Sequence, residues 1–344
     1  MTVKFSFQFL IITLLCFTCG TFLCEAQENH DSLTACAKIS AAAERLQCYD
    51  KLAGREPAAQ TVPLPDAKSK DSSTPDQKQT VMSRHWDLDP ANRKHTFVFR
   101  PYRSNYMLPV AYNSSPNQDE NLDVDPNGRA EFNEAKFQIS FKVKLWEDLL
   151  GKKIDVWMAY TQLAFWQLYN TPFSSPFRDT NYEPEVLVNF RTDYELLGFK
   201  GRLLTLGLNH QSNGRSRPLS RSWNRATATV GLEKDNLNIF LKTWYRIPER
   251  ESDDDNPDLT RYMGYGELSA VYYWEKHRLA ATVRNNLRSE NLGAVQLEWC
   301  FPLPFIPGDR FSFYIQYFNG YGEGLLDYYT SVNRISAGFM LKDW

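Results

Sequence analysis

Beyond its opening segment the chain has no apolar run near the roughly 18 residues that a membrane-spanning helix needs, so a helical membrane protein is excluded. It also lacks an excess of either charge. The formal net charge is −2, whereas a nucleic-acid partner selects a basic surface, so none is expected. Cysteine is scarce: of six, Cys16, Cys19 and Cys24 fall in the apolar opening segment and Cys300 stands alone. Cys36 and Cys48 are left as the one pair suited to a bridge in an oxidising compartment.

What is present begins with a positive start at Lys4 and an apolar stretch from Phe5 to Cys24, uncharged until Glu25. This reads as a secretory signal over residues 1–26, cleaved after Ala26; acylation of Cys24, which follows Leu23, is the alternative. Residues 27–54 read as a short helical periplasmic segment, with Ser32 as a cap, abundant alanine and Gly54 as a stop signal. In one continuous helix Cys36 and Cys48 would lie about 18 Å apart, too far for a disulfide. Either the segment folds back as a bridged hairpin, which an oxidising compartment favours, or both thiols are free. Residues 55–94, rich in Pro, Ser, Asp, Lys and Gln, read as a flexible linker, and the folded body spans 95–344.

Within that body the pattern has period two. Phe137, Ile139, Phe141, Val143 and Leu145 alternate with Gln138, Ser140, Lys142 and Lys144, the signature of a strand with one apolar and one polar face. About eleven such segments follow one another, after a poorly patterned first one near Thr96 to Tyr112. The chain also carries 18 Tyr, 22 Phe and 9 Trp in 344 residues. Lys, Arg, Glu and Gln on the second face would make an odd core for a soluble sandwich, but they suit the lumen of a closed barrel. The expected fold is all-β: an antiparallel transmembrane β-barrel of about 12 strands. The closing aromatic, Trp344, is of the kind that outer-membrane assembly machinery recognises.

One stretch breaks the apolar face. Extending the alternation of Leu204, Leu206 and Leu208 puts His210 and Ser212 on the lipid side; on the next strand Asn224 shares its face with Ala226, Ala228 and Val230. Polar groups there are expensive unless they work. Residues i and i+2 of a strand lie roughly 6.5–7 Å apart, so an imidazole can reach a hydroxyl. Asn224 can accept the other ring N–H and fix the tautomer, the logic of nucleophile, base and orienting group. A polar loop rim is the plainer alternative.

The run Asn209-His210-Gln211-Ser212-Asn213-Gly214-Arg215-Ser216, followed by Ser220-Arg221-Ser222-Trp223-Asn224-Arg225, resembles the outer-membrane phospholipase A family of Gram-negative bacteria. Supporting runs are Ser174 to Arg178, Asn181 to Pro184, Asp254 to Asp258 and Tyr262 to Tyr265, and the resemblance covers roughly Asn105 to Lys342. It implies calcium-dependent hydrolysis of phospholipid acyl esters in the outer membrane, with A1, A2 and lysophospholipase activity. In it Ser212 is nucleophile, His210 base, Asn224 orienter and Gly214 the oxyanion donor. It further implies activation by homodimerisation and an active site toward the outer leaflet. Calcium would be held by the backbone carbonyl of Arg215, the hydroxyl of Ser220 and the partner's copy of Ser174.

The pattern departs from the family at Arg217, where an Asp usually joins the one at Asp255 in a second calcium site; a fixed cation there should repel calcium. Gln162 extends the outward stripe Ile154, Val156, Met158 and Tyr160, and an amide in hydrocarbon gains by pairing with its symmetry mate. The resemblance places the dimer interface at Gln162. The alternative to an enzyme is a porin-like or structural barrel that kept the fold without the activity.

Overall fold

A computed structural model describes residues 35–53, 80–90, 93–118, 129–303 and 311–341. The signal segment, the linker between residues 55 and 79, and Trp344 lie outside the described residues. The N-terminal segment belongs to a compact unit separate from the barrel. Residues 35–37 are helical, and after a break the helix α1 (Ala42–Leu52) follows. The break reverses the chain and brings the Cα atoms of Cys36 and Cys48 to 5.6 Å in a disulfide. Of the two alternatives for this segment, the bridged hairpin is the one observed.

The barrel is made by β1 (Phe99–Pro101), β2 (Asn105–Asn113), β3 (Asn133–Trp146), β4 (Ile154–Trp166), β5 (Phe177–Leu196), β6 (Phe199–Ser212) and β7 (Ser222–Lys234). It continues through β8 (Leu237–Ile247), β9 (Gly266–Trp274), β10 (His277–Asn285), β11 (Gly293–Pro302), β12 (Phe311–Gly320) and β13 (Val332–Leu341). Consecutive strands from β2 onward pair antiparallel, and β13 returns to β2, closing a ring of twelve without a free edge. The short β1 pairs with β3 beyond the end of β2. Together β1 and β2 are the poorly patterned first segment: Tyr102 to Ser104 interrupt it, and Arg103 turns into the lumen to bind Glu183 and Glu185.

The two ends of the barrel differ. At one, strands are joined tightly, as at Leu197-Gly198, where both residues have positive φ (52° and 77°), the conformation whose twist suits a two-residue hairpin. At the other lie the longer connections 167–176, 213–221, 248–265 and 321–331. Transmembrane barrels keep short turns on the periplasmic side and long loops outside.

The lumen is partly filled, around a cavity of about 410 Å³. Residues 81–86, read from sequence as part of a flexible linker, instead form the helix α2 (Val81–Trp86), with the Thr80 side chain capping Ser83. Met82 and Trp86, one helical turn apart, pack on Trp157, Leu187 and Leu203 from the inner wall. The Lys142 ammonium sits 3.5 Å from the Trp86 ring centroid, and Asp87 accepts Arg100 and Lys144. The linker reading therefore fails over these residues, because a polar flank hid two large apolar side chains at helical spacing. Toward the long loops the lumen holds an ionic lattice: Glu134 with Arg178 and Arg334, and Glu323 with Lys136 and Arg334.

Candidate active site

Strands β6 and β7 run side by side with His210 directly opposite Asn224 and Ser212 opposite Ser222. The alternation holds: Leu203, Thr205 and Asn209 are buried toward the lumen, whereas Leu206, Leu208 and His210 are exposed on the outer wall, Leu208 by 62%. Ser212, two residues beyond His210, shares its face at the long-loop end of the strand. Asn224 Oδ1 lies 2.8 Å from Nδ1 of His210.

A second contact of Asn224, not foreseen from sequence, orients it. Its Nδ2 donates to Oε1 of Glu249 at 2.7 Å. A carboxylate offers only acceptors, so the amide nitrogen must face Glu249 and the amide oxygen must face the imidazole. Nδ1 of His210 then carries the hydrogen, leaving the Nε2 lone pair to take a proton from a hydroxyl.

The loop between β6 and β7 is built on Asn213. This buried side chain accepts from the backbone N–H of Arg215 and Arg221 and donates to the carbonyl of Leu219. Gly214 follows with φ +68°, and a Cβ there would lie 2.9 Å from the Tyr182 ring, so both conformation and space require glycine. Arg215 ties the loop to β5 by donating to the carbonyls of Phe177 and Arg178. Beneath it Trp223 donates to Gln211, Arg225 lies 4.0 Å from the Trp223 ring centroid, and Ser222 N–H donates to buried Asn256. Asn213 and Asn256 were legible only as parts of motifs; their work as loop organisers needs the fold.

The residues expected at calcium are distributed unevenly. Ser220 and Asp255 meet, the hydroxyl hydrogen-bonding the carboxylate. Partial burial disfavours ionisation of Asp255, but that bond, the bond from Arg217 and the Arg217 charge outweigh it and hold the carboxyl below its usual range. Arg217 Nε donates to Asp255 Oδ1 at 2.5 Å and its Nη2 to the carbonyl of Ser252. A guanidinium thus sits where a cation-binding carboxylate would be needed, and Asp255 does not fit the calcium role. Ser174, in the left-handed region after a short turn at Thr171–Phe173, and Arg215 belong to adjoining loops. The backbone carbonyl and hydroxyl oxygens of these residues are the hard donors that calcium takes. Gln162 lies on the outer wall opposite Tyr182, its Oε1 accepting from Tyr160, so its amide N–H groups are what it can present outward.

The outer wall of the closed barrel thus carries a hydroxyl, an imidazole and an amide near one another. The phospholipase A1 family profile matches residues 82–341. Phospholipase A1 of Klebsiella pneumoniae is 38% identical over 247 residues, 72% of this chain and 83% of that protein. An active-site asparagine-to-alanine mutant of Escherichia coli outer membrane phospholipase A superposes with TM-score 0.66 at 36% identity, covering 73% of this chain and 94% of that one. The Salmonella typhi outer membrane phospholipase dimer with bound calcium gives TM-score 0.67 at 36% identity, covering 73% and 95%. The chain belongs to the phospholipase A1 family of outer-membrane enzymes.

Proposed function

We propose that this protein hydrolyses phospholipid acyl esters from the outer wall of its barrel, with Ser212 as nucleophile, His210 as base and Asn224 as orienter. The observation that carries the reading is the His210–Asn224 contact at 2.8 Å, two residues from Ser212 on one face. In the reaction the Ser212 hydroxyl passes its proton to Nε2 of His210 while its oxygen bonds to the acyl carbonyl carbon. The backbone N–H of Gly214 donates to the resulting oxyanion. As the carbon–oxygen bond to the glycerol breaks, the imidazolium returns the proton to the departing alkoxide, and water then frees the acyl chain from Ser212 by the same route. The asparagine-to-alanine active-site mutant of the Escherichia coli relative supports the role given to Asn224.

Calcium is the proposed cofactor, held by the Arg215 carbonyl, the Ser220 hydroxyl and Ser174 of a second copy, so that dimer and ion stabilise each other. When bound it supplies positive charge beside the oxyanion. The calcium-bound dimer of the Salmonella typhi relative supports this, and Gln162 is the proposed interface amide. The lumen packed by α2, Lys136 and Arg334 disfavours a porin reading. The test is hydrolysis of phospholipid by refolded protein with calcium and with a chelator. Release of fatty acid with calcium alone is expected, and none in either condition would refute the reading.

A further inference from the structure

Glu249 has no part in the catalytic set that the motifs indicate, yet it is joined to it. Asn224 lies opposite Ile247 in the β7–β8 ladder, and Glu249, past the end of β8 and after Pro248, reaches Asn224 from the loop that follows. It follows an apolar stripe formed by Ile239, Leu241, Tyr245 and Ile247. Its Oε1 accepts from Asn224 Nδ2 at 2.7 Å, while Asn224 Oδ1 meets His210 Nδ1 at 2.8 Å. Of the arginines near it, Arg215 is engaged on the carbonyls of Phe177 and Arg178, Arg217 on Asp255 and Arg246 on Asp254.

We propose that Glu249 is a positioning residue for the hydrolysis, fixing the amide of Asn224 so that its oxygen faces His210 and lending the carboxylate charge through that amide to the imidazolium. A neutral orienter stabilises imidazolium less than a carboxylate does. Here the carboxylate is present one hydrogen bond further out, and charge-assisted bonding to Nδ2 strengthens the acceptor at Oδ1. It also removes the alternative in which the amide turns over and offers Nδ2 to the ring, which would select the wrong tautomer. The inference rests on the catalytic reading of Ser212, His210 and Asn224.

The test uses refolded full-length protein with calcium and a chromogenic thioester analogue of a phospholipid, with heat-modifiability on gels to confirm folding. Glu249→Ala should lower kcat by roughly tenfold with KM within about twofold, the split expected of a group felt in the transition state. Glu249→Gln, which can still accept from Nδ2 without the charge, should fall between that variant and the parent. The decisive pair is a charge swap. Asn224→Asp alone sets two carboxylates against each other, whereas Asn224→Asp with Glu249→Gln restores a donor between them and should recover activity several-fold over the single variant. A merely structural Glu249 would give no such recovery. Nitrogen-15 NMR of labelled histidine provides a readout without turnover: the parent should show the Nδ1–H tautomer at His210 and Glu249→Ala a mixture. Unchanged kcat in both Glu249 variants, or identical ring-nitrogen signals in parent and Glu249→Ala, would overturn the proposal. A parent that fails to hydrolyse the ester would instead overturn the catalytic reading, and the NMR comparison would still decide what Glu249 does.

Discussion

At the scale of single residues, the restriction falls on Asn224, held between His210 on one side and Glu249 on the other. Ser212 lies at a strand end and is only partly buried, where a hydroxyl contributes little to packing. Ser212→Ala should therefore cut ester hydrolysis by at least about a thousandfold while the barrel keeps its heat-modifiable mobility on gels. Near-normal turnover would remove Ser212 from the nucleophile's role. Asn224→Ala should slow hydrolysis by roughly a hundredfold without abolishing it, because the His–Ser pair survives with a poorly held ring. A steady-state assay at saturating substrate measures this, and loss equal to that of Ser212→Ala would show that Asn224 does more than orient. The residues proposed as nucleophile, base and orienter could be picked out because period-two alternation put three polar residues on a lipid face. Glu249 was missed because it lies past the end of β8, after Pro248, in a charged loop whose plainest reading is solvated.

At the scale of elements, α2 is the instructive case. Its sequence, Val81 to Trp86, is short and sits beside a polar linker, so no periodic window long enough for a helix stands out. Inside the barrel it contributes Met82 and Trp86 to a buried cluster with Trp157, Leu187 and Leu203. Trp86→Ala should lower barrel stability by about 3 kcal/mol, the usual effect of emptying a large buried aromatic site, and leave the catalytic wall intact. A denaturant titration followed by tryptophan fluorescence can check it, and an unchanged midpoint would mean that α2 only rests in the lumen. The barrel strands themselves were readable, since one face meets lipid and the other meets the charged lattice of Glu134, Arg178, Lys136 and Arg334. The first strand was poorly patterned for a physical reason. It is two strands, β1 and β2, parted where Arg103 leaves the wall to bind Glu183 and Glu185.

At the scale of the whole molecule, the proposed calcium site would link ion binding to self-association. If each ion takes Ser174 from one copy and Arg215 and Ser220 from the other, the calcium concentration for half-maximal hydrolysis should fall as protein concentration rises. A lone copy lacks the partner's ligand, and Arg217 occupies Asp255. Isothermal titration of protein held monomeric in excess detergent should show weak calcium binding or none. Arg217→Asp should introduce measurable binding by exchanging a repelling cation for a carboxylate beside Asp255. Tight binding by the unaltered monomer would mean that Arg217 yields its partner readily and that Asp255 finds other oxygen ligands.

Local rules acting along the chain determined much of this protein. Alternation of apolar and polar residues specified strands with two unlike faces. Their number and their polar second face specified a closed wall, and the His-x-Ser spacing with a following Asn pointed to the outer face for the proposed chemistry. Those are properties of neighbours in sequence, and extended backbone preserves them. Tertiary structure alone decided what lies across strands and inside the ring: that α2 fills the lumen, that Arg217 reaches Asp255, that Asn213 and Asn256 hold the loop, and that Glu249 meets Asn224. Each of these contacts depends on register, loop path or closure, which bring distant residues together at distances that no local period encodes.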